Sequence, residues 1–154
     1  MSRLTAGAPA PPFSLPDHEG RLVTSDSLLG RRYVLYFYPA DDTPGCTVEA
    51  CGFRDEMADF TGLGVRILGV SPDPAASHVA FRAKYALEFD LLSDPTTTTM
   101  AAYGAYGEKM LYGKTVVGVI RSTFVVGPTG RIEHAWYGPR TQGHAARVRA
   151  AIQG

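Results

Sequence analysis

The sequence predicts an α/β fold with a mixed central β-sheet flanked by helices, on three observations. Two runs of β-formers, Tyr33–Tyr38 and Val65–Ser71, are each followed by apolar residues at helical spacing, the alternation of parallel βαβ units. Further on, Ser122–Val126 and Ile132–Trp136 flank Gly127-Pro-Thr-Gly130, which marks an antiparallel hairpin. Thr141–Gln153 then returns to helical spacing. With 154 residues and a hydrophobic fraction of 45%, one domain spanning residues 1–154 is expected.

Each element has a local reason. Pro9, Pro11 and Pro12 keep the entry extended, and Asp17-His-Glu-Gly20 reads as the turn of an N-terminal β-hairpin between Phe13–Leu15 and Leu22–Thr24. Tyr33–Tyr38 is unbroken by polar residues and stops at Pro39, which suits a fully buried central strand. The helix after it has Thr43 as N-cap and Pro44 at the first helical position, where a missing N–H costs nothing. Cys46, Ala50, Phe53, Met57 and Phe60 form its apolar stripe, and Gly62 and Gly64 end it. Val65–Ser71 reads as a second buried strand, and Ala75–Tyr85 as a helix with Val79, Ala80 and Phe81 facing inward. Phe89–Leu92 is expected as a short strand, Asp94-Pro95 as a turn and Thr97–Tyr103 as a short helix. A strand running from Val116 through Arg121 would carry a charge into the interior, which is rare without a partner. The last helix is expected to be capped by Thr141 and to bury Ala145, Val148 and Ile152. Parallel units followed by a hairpin and a helix are the order of the thioredoxin-like fold.

Charge and hydropathy narrow the function. Lys+Arg and Asp+Glu are equal at 15 each, so nothing favours a nucleic acid or an anionic membrane as partner. Met1–Phe13 lacks the apolar core of a signal peptide, and the most apolar stretch, Val116–Val126, is broken by Gly118 and Arg121. A cytoplasmic location is therefore expected, where the chain's two cysteines favour a catalytic or sensing role over a structural disulfide. His18, His78, His134 and His144 are scattered singly and read as surface or satisfied histidines, so no metal site is expected.

Cys46 falls just inside a helix start, one of the few places where backbone alone favours a thiolate. Its bland alternative is a small buried hydrophobe; for Cys51 it is packing on a helix flank. On one continuous helix the two sulfurs stand roughly 140° apart in azimuth and about 7.5 Å apart along the axis. A disulfide needs Cα atoms within about 7 Å, so a bond between them requires the first turns to unwind. The C-x4-C spacing also separates this pair from the C-x-x-C redox motif.

The stretch Tyr36-Phe-Tyr-Pro-x3-Thr-x2-Cys-Thr-x-Glu-x-Cys51, with Arg121-Ser-Thr-Phe124 downstream, resembles the peroxiredoxins, specifically the bacterioferritin comigratory protein or peroxiredoxin Q group. Ala10-Pro-x-Phe13, Gly69-Val-Ser71 and Gly143-His-Ala145 extend the likeness over nearly the whole chain. The resemblance implies a monomeric, cofactor-free peroxidase in which Cys46 attacks a hydroperoxide and becomes a sulfenic acid. It further implies that Cys51 resolves the sulfenic acid as an intramolecular disulfide, and that thioredoxin or a similar dithiol restores both thiols. No cysteine follows Cys51, so a resolving cysteine near the C-terminus is excluded. A redox sensor or thiol-switched binding protein with little turnover is the alternative of another class.

A lowered thiol pKa does not make a peroxidase by itself. Moving from about 8.5 to near 6 raises the thiolate fraction about thirtyfold, but nucleophilicity falls roughly tenfold, a net gain of about threefold. The rest of the rate must come from groups that stabilise the stretching O–O bond. Thr43 is a candidate to place a hydroxyl near the peroxide, unless it is a plain N-cap, and the resemblance assigns Arg121 to the peroxide and the Cys46 thiolate. Pro39 would shield the sulfur from water. Glu49 is a candidate to hold Arg121, or equally a first-turn carboxylate favouring the helix dipole. Ala40 departs from many relatives, which carry a basic residue there, leaving Asp41 and Asp42 without that cation; carboxylates close to Cys46 would raise its pKa, and otherwise the two read as a solvated acidic turn pointing away from the sulfur. Trp136 reads as core or pocket rim.

Overall fold

The computed structural model describes residues 3–154, so Met1 and Ser2 of the Met1–Phe13 stretch lie outside it. A hairpin, β1 (Ser14–Pro16) and β2 (Leu22–Thr24), leads through a 3-10 turn at Asp26–Leu28 into β3 (Tyr33–Phe37). After it come α1 (Pro44–Asp55), α2 (Met57–Gly62), β4 (Arg66–Ser71), α3 (Ala75–Tyr85), β5 (Asp90–Ser93) and α4 (Thr98–Ala102). A hairpin of β6 (Tyr106–Leu111) and β7 (Lys114–Val119), a second of β8 (Ser122–Val126) and β9 (Ile132–Tyr137), and α5 (His144–Gln153) complete it.

The main sheet runs β5-β4-β3-β8-β9. β3 sits at its centre, parallel to β4 and antiparallel to β8, and all five of its residues are buried. Successive strand residues face opposite sides, and the core divides accordingly. Tyr33, Leu35 and Phe37 pack with Phe13, Leu15 and Val23 of the hairpin segment and with Met100 and Tyr103. Val34 and Tyr36 pack on the other face with Cys46, Ala50 and Phe53 of α1, Phe60 of α2 and Ala145 and Val148 of α5. The Cys46 stripe therefore seals α1 onto the sheet, which places the helix start at the C-terminal end of β3. This is the thioredoxin-type mixed α/β architecture expected from the element order.

Several elements differ from their expected form. α1 and α2 are separate helices parted at Glu56, where the sequence suggested one. On α3, Val79 is 50% exposed and Ala80 is exposed, while His78 and Phe81 are buried; the inward face is the three-residue step between them. No strand runs through Arg121, because β7 ends at Val119 and β8 begins at Ser122. β6 and β7 form a hairpin that the sequence reading lacks; Tyr112 and Gly113 at its tip both have positive φ, 52° and 77°, the two-residue turn that matches strand twist. Thr141 does not cap α5: Gly143 at φ 72° precedes the helix, and Thr141 contributes only its carbonyl to His144 N at 3.3 Å. Among the described residues no helix is long and apolar enough to cross a membrane.

Candidate active site

The loop between β3 and α1 is fastened before the helix begins. Asp41 donates its backbone N–H to Asp73 Oδ2 at 2.7 Å, and its carboxylate accepts from Tyr38 Oη at 2.5 Å, Ser77 Oγ at 2.7 Å and His78 Nδ1 at 2.8 Å. His78 also holds Leu92 O at 3.0 Å through Nε2. A carbonyl only accepts, so Nε2 carries a hydrogen, and the other ring nitrogen faces a carboxylate. Asp42, at φ 59°, accepts from Lys84 Nζ at 2.8 Å and Tyr85 Oη at 2.7 Å. The expected solvated acidic turn is thus corrected for Asp41, whose side chain is only 3% exposed. Lys84 of α3 supplies a cation to this loop, at Asp42. Burial alone would raise the Asp41 pKa, but hydrogen bonds from His78, Tyr38 and Ser77 outweigh it and hold the carboxyl below its usual range.

Pro39 lies half-buried in this loop, and Thr43 has the extended backbone of an N-cap. Its hydroxyl makes no capping bond; it donates to Ala40 O at 2.9 Å. Pro44 occupies the first helical position as expected. Gly45 permits a close approach, since a Cβ there would stand 3.2 Å from Arg121 Nη2.

Cys46, 2% exposed, accepts from Arg121 Nη2 at 3.3 Å. The other terminal nitrogen, Nη1, donates to Glu49 Oε1 at 2.6 Å. Glu49 lies three residues after Cys46, on the same helix face, so one guanidinium spans the sulfur and the carboxylate. Arg121 reaches them from the link between β7 and β8, whose backbone is pinned on both sides by Ile120 N to Ala105 O and Gly138 N to Arg121 O, each 2.7 Å. Burial raises the Glu49 pKa to about 7 against the pull of Arg121. Cys51 sits partly exposed further along the unbroken α1, and both thiols are free. The fold thus brings Cys46, Glu49 and Arg121 together beside Thr43 and leaves Cys51 apart.

One group escaped the sequence reading. His144, the first residue of α5, is wholly buried, with Nε2 2.8 Å from Thr123 Oγ1 and 4.0 Å from Glu49 Oε2. His78 is buried with both ring nitrogens hydrogen-bonded, a satisfied histidine as expected, whereas His144 departs from that expectation because its buried Nδ1 has no partner. His18 groups with Asp17 and Asp90, their potential ligand atoms within 4.8 Å of one another. Asp90 is held there by Arg66 at 2.5 Å, and Asp17 Oδ1 by two backbone N–H groups, so the carboxylates are already engaged.

The description that matches this chain over residues 6–135 is the AhpC/TSA family. The chain is 51% identical to a putative peroxiredoxin of Mycobacterium tuberculosis over 148 residues, 96% of this chain and 94% of the relative. It is 42% identical to the peroxiredoxin Bcp of Escherichia coli over 144 residues, 94% and 92% of the two chains. Among solved structures, a mutant of Xylella fastidiosa peroxiredoxin Q superposes with a TM-score of 0.91 at 33% identity, covering 99% and 98%. The Xanthomonas campestris bacterioferritin comigratory protein does so with 0.86 at 39%, covering 92% and 90%. The chain belongs to the AhpC/TSA family, within its peroxiredoxins of the Bcp or peroxiredoxin Q type. It is accordingly a peroxidase of the oxidoreductase class.

Proposed function

We propose that the protein reduces hydrogen peroxide and organic hydroperoxides with Cys46 as the attacking thiolate and Cys51 as the resolving thiol. The observation that carries this reading is the guanidinium of Arg121 bridging Cys46 Sγ and Glu49. The thiolate attacks the terminal peroxide oxygen; the S–O bond forms as O–O breaks, and the alkoxide leaves as alcohol after taking a proton. Arg121 and the N–H groups at the start of α1 are aimed at the oxygens that gain charge. Thr43 directs its hydroxyl hydrogen to Ala40 O, which leaves its oxygen lone pairs free to accept from the peroxide O–H. Pro39 covers the site and offers no competing donor.

The sulfenic acid then condenses with Cys51, releasing water, after the early turns of α1 unwind. Gly45 and Gly52 lower the cost of that unwinding. A dithiol such as thioredoxin exchanges with the disulfide and restores both thiols, with the protein acting as a cytoplasmic monomer without metal or cofactor. The X. campestris relative is described by its alkyl peroxide reduction activity, which supports organic hydroperoxides as substrates here.

The test is peroxide consumption coupled to thioredoxin and its reductase. Cys46→Ser should abolish it. Cys51→Ser should keep one turnover of Cys46 oxidation, lose recycling and pass more readily to sulfinic acid. Steady-state activity in Cys46→Ser contradicts the assignment, and undiminished thioredoxin-driven turnover in Cys51→Ser contradicts the resolving role.

A further inference from the structure

The two oxygens of Glu49 are treated unequally. Oε1 takes the Arg121 bond, whereas Oε2 is buried with no hydrogen-bond partner and faces His144 Nε2 at 4.0 Å. His144 is fixed in place by Thr123 Oγ1 and by edge contacts with the rings of Phe53 and Trp136, centroids 6.0 and 5.8 Å away. Its Nδ1 has no partner either. A second proton would strand an N–H at that nitrogen. Burial, then the charges of Arg147 and Arg121, push the imidazole pKa down to about 4. At neutral pH His144 is therefore a dipole and not a counter-ion. The tautomer with hydrogen on Nε2 turns the positive end of that dipole toward Thr123 and Glu49.

Resting on the reading of Cys46 and Arg121 given above, we propose that His144 is a positioning residue for peroxide reduction. Its Nε2–H favours the ionised form of Glu49, and ionised Glu49 holds Arg121 on the Cys46 sulfur. Arg121 is 18% exposed at its side chain, so loss of the Glu49 charge frees it to turn toward water. The groups facing this centre are Cys46 on α1, Arg121 before β8, Tyr36 on β3 and Arg147 on α5, with His134 stacked behind Trp136 on β9. Burial, then Glu49 and Cys46, hold the Tyr36 hydroxyl well above its usual range, so it carries no charge. Arg147 is spent on the carbonyls of Gln142 and Arg140.

The test is the rate of oxidation of reduced protein by hydrogen peroxide, followed by stopped flow from acid to alkaline pH. Wild type should lose rate on the acid side of neutrality, and Glu49→Gln should lose that limb. His144→Phe keeps a ring against Phe53 and Trp136 but removes the N–H. It should move the limb up by about one pH unit, a roughly tenfold slower rate below it. His144→Gln, whose amide nitrogen can stand near the Nε2 position, should restore the limb. The fluorescence of Trp136, the one tryptophan in the chain, reports that each variant keeps the local fold. A limb unmoved in His144→Phe, a uniform loss at every pH, or equal shifts in His144→Phe and His144→Gln each overturn the proposal. If Cys46→Ser still reacts with peroxide at the wild-type rate, the underlying reading has failed instead.

Discussion

Asp41 and Glu49 flank the start of α1, one in the loop before it and one in its second turn. Both side chains are withdrawn from water, 3% and 0% exposed, yet their acidities diverge. Asp41 receives Tyr38, Ser77 and His78 and stays below the usual carboxylate range. Glu49 receives Arg121 on one oxygen, nothing within bonding distance on the other, and rises to about 7. Donors, more than burial, decide which buried carboxylate keeps its charge. The consequence is a division of labour: Asp41 is a permanent bolt between the loop and α3, whereas Glu49 is a partner whose charge responds near neutrality.

Removing the bolt should have the largest effect on stability. Asp41→Ala strands three side chains, Tyr38, Ser77 and the buried His78, and should cost about 3–5 kcal/mol in urea unfolding. Asp42→Ala, at an exposed site, should cost far less. Equal losses in the two variants break the comparison. On the other side of the helix, Arg121→Ala should slow Cys46 oxidation by about 10²–10³-fold, as for loss of an oriented donor to developing charge. A tenfold or smaller loss would place the rate elsewhere in the site.

The smaller effect is thermodynamic and opposite in sign for the two acids. Glu49 has its folded pKa raised from 4.5 to about 7, so its contribution is fully present below about 4.5 and is lost as pH rises to about 7. Wild-type stability relative to Glu49→Gln should fall across that window and flatten above it. Asp41 has its folded pKa lowered from 3.8, so its contribution is present above 3.8 and disappears only as pH falls through the lower folded value. Unfolding curves of both variants taken across pH 2–8 check this; a flat wild-type to Glu49→Gln difference through pH 4.5–7 contradicts it.

What the sequence disclosed was what local chemistry determines. Tyr33–Phe37 as a central strand, Pro44 at the first helical position and the Gly127–Gly130 hairpin turn all follow from neighbouring residues. The α3 face was misphased because the residue buried beside Phe81 is the polar His78, while the apolar Val79 and Ala80 are exposed. The β6–β7 hairpin escaped because its strand residues are exposed or half-buried except Val119, and Tyr112-Gly113 is a less familiar turn pair. In the site, Cys46 and Glu49 were legible from their spacing on one helix. The partner across 75 residues, Arg121, needed a family resemblance, and the Asp41 to His78 bond across 37 residues had no local sign. His144 lay in the quoted Gly143-His-Ala145 motif, but only packing of α5 on α1 and β8 turns its ring toward Glu49.

In the proposed site, Arg121 acts on Cys46 only as Glu49 holds it. A double-mutant cycle on the rate constant of Cys46 oxidation at pH 8, above the Glu49 transition, tests it most directly. Arg121→Ala and Glu49→Ala should each slow the reaction, and the double variant should be no slower than Arg121→Ala alone. Losses that multiply in the double variant would mean that the two side chains act independently.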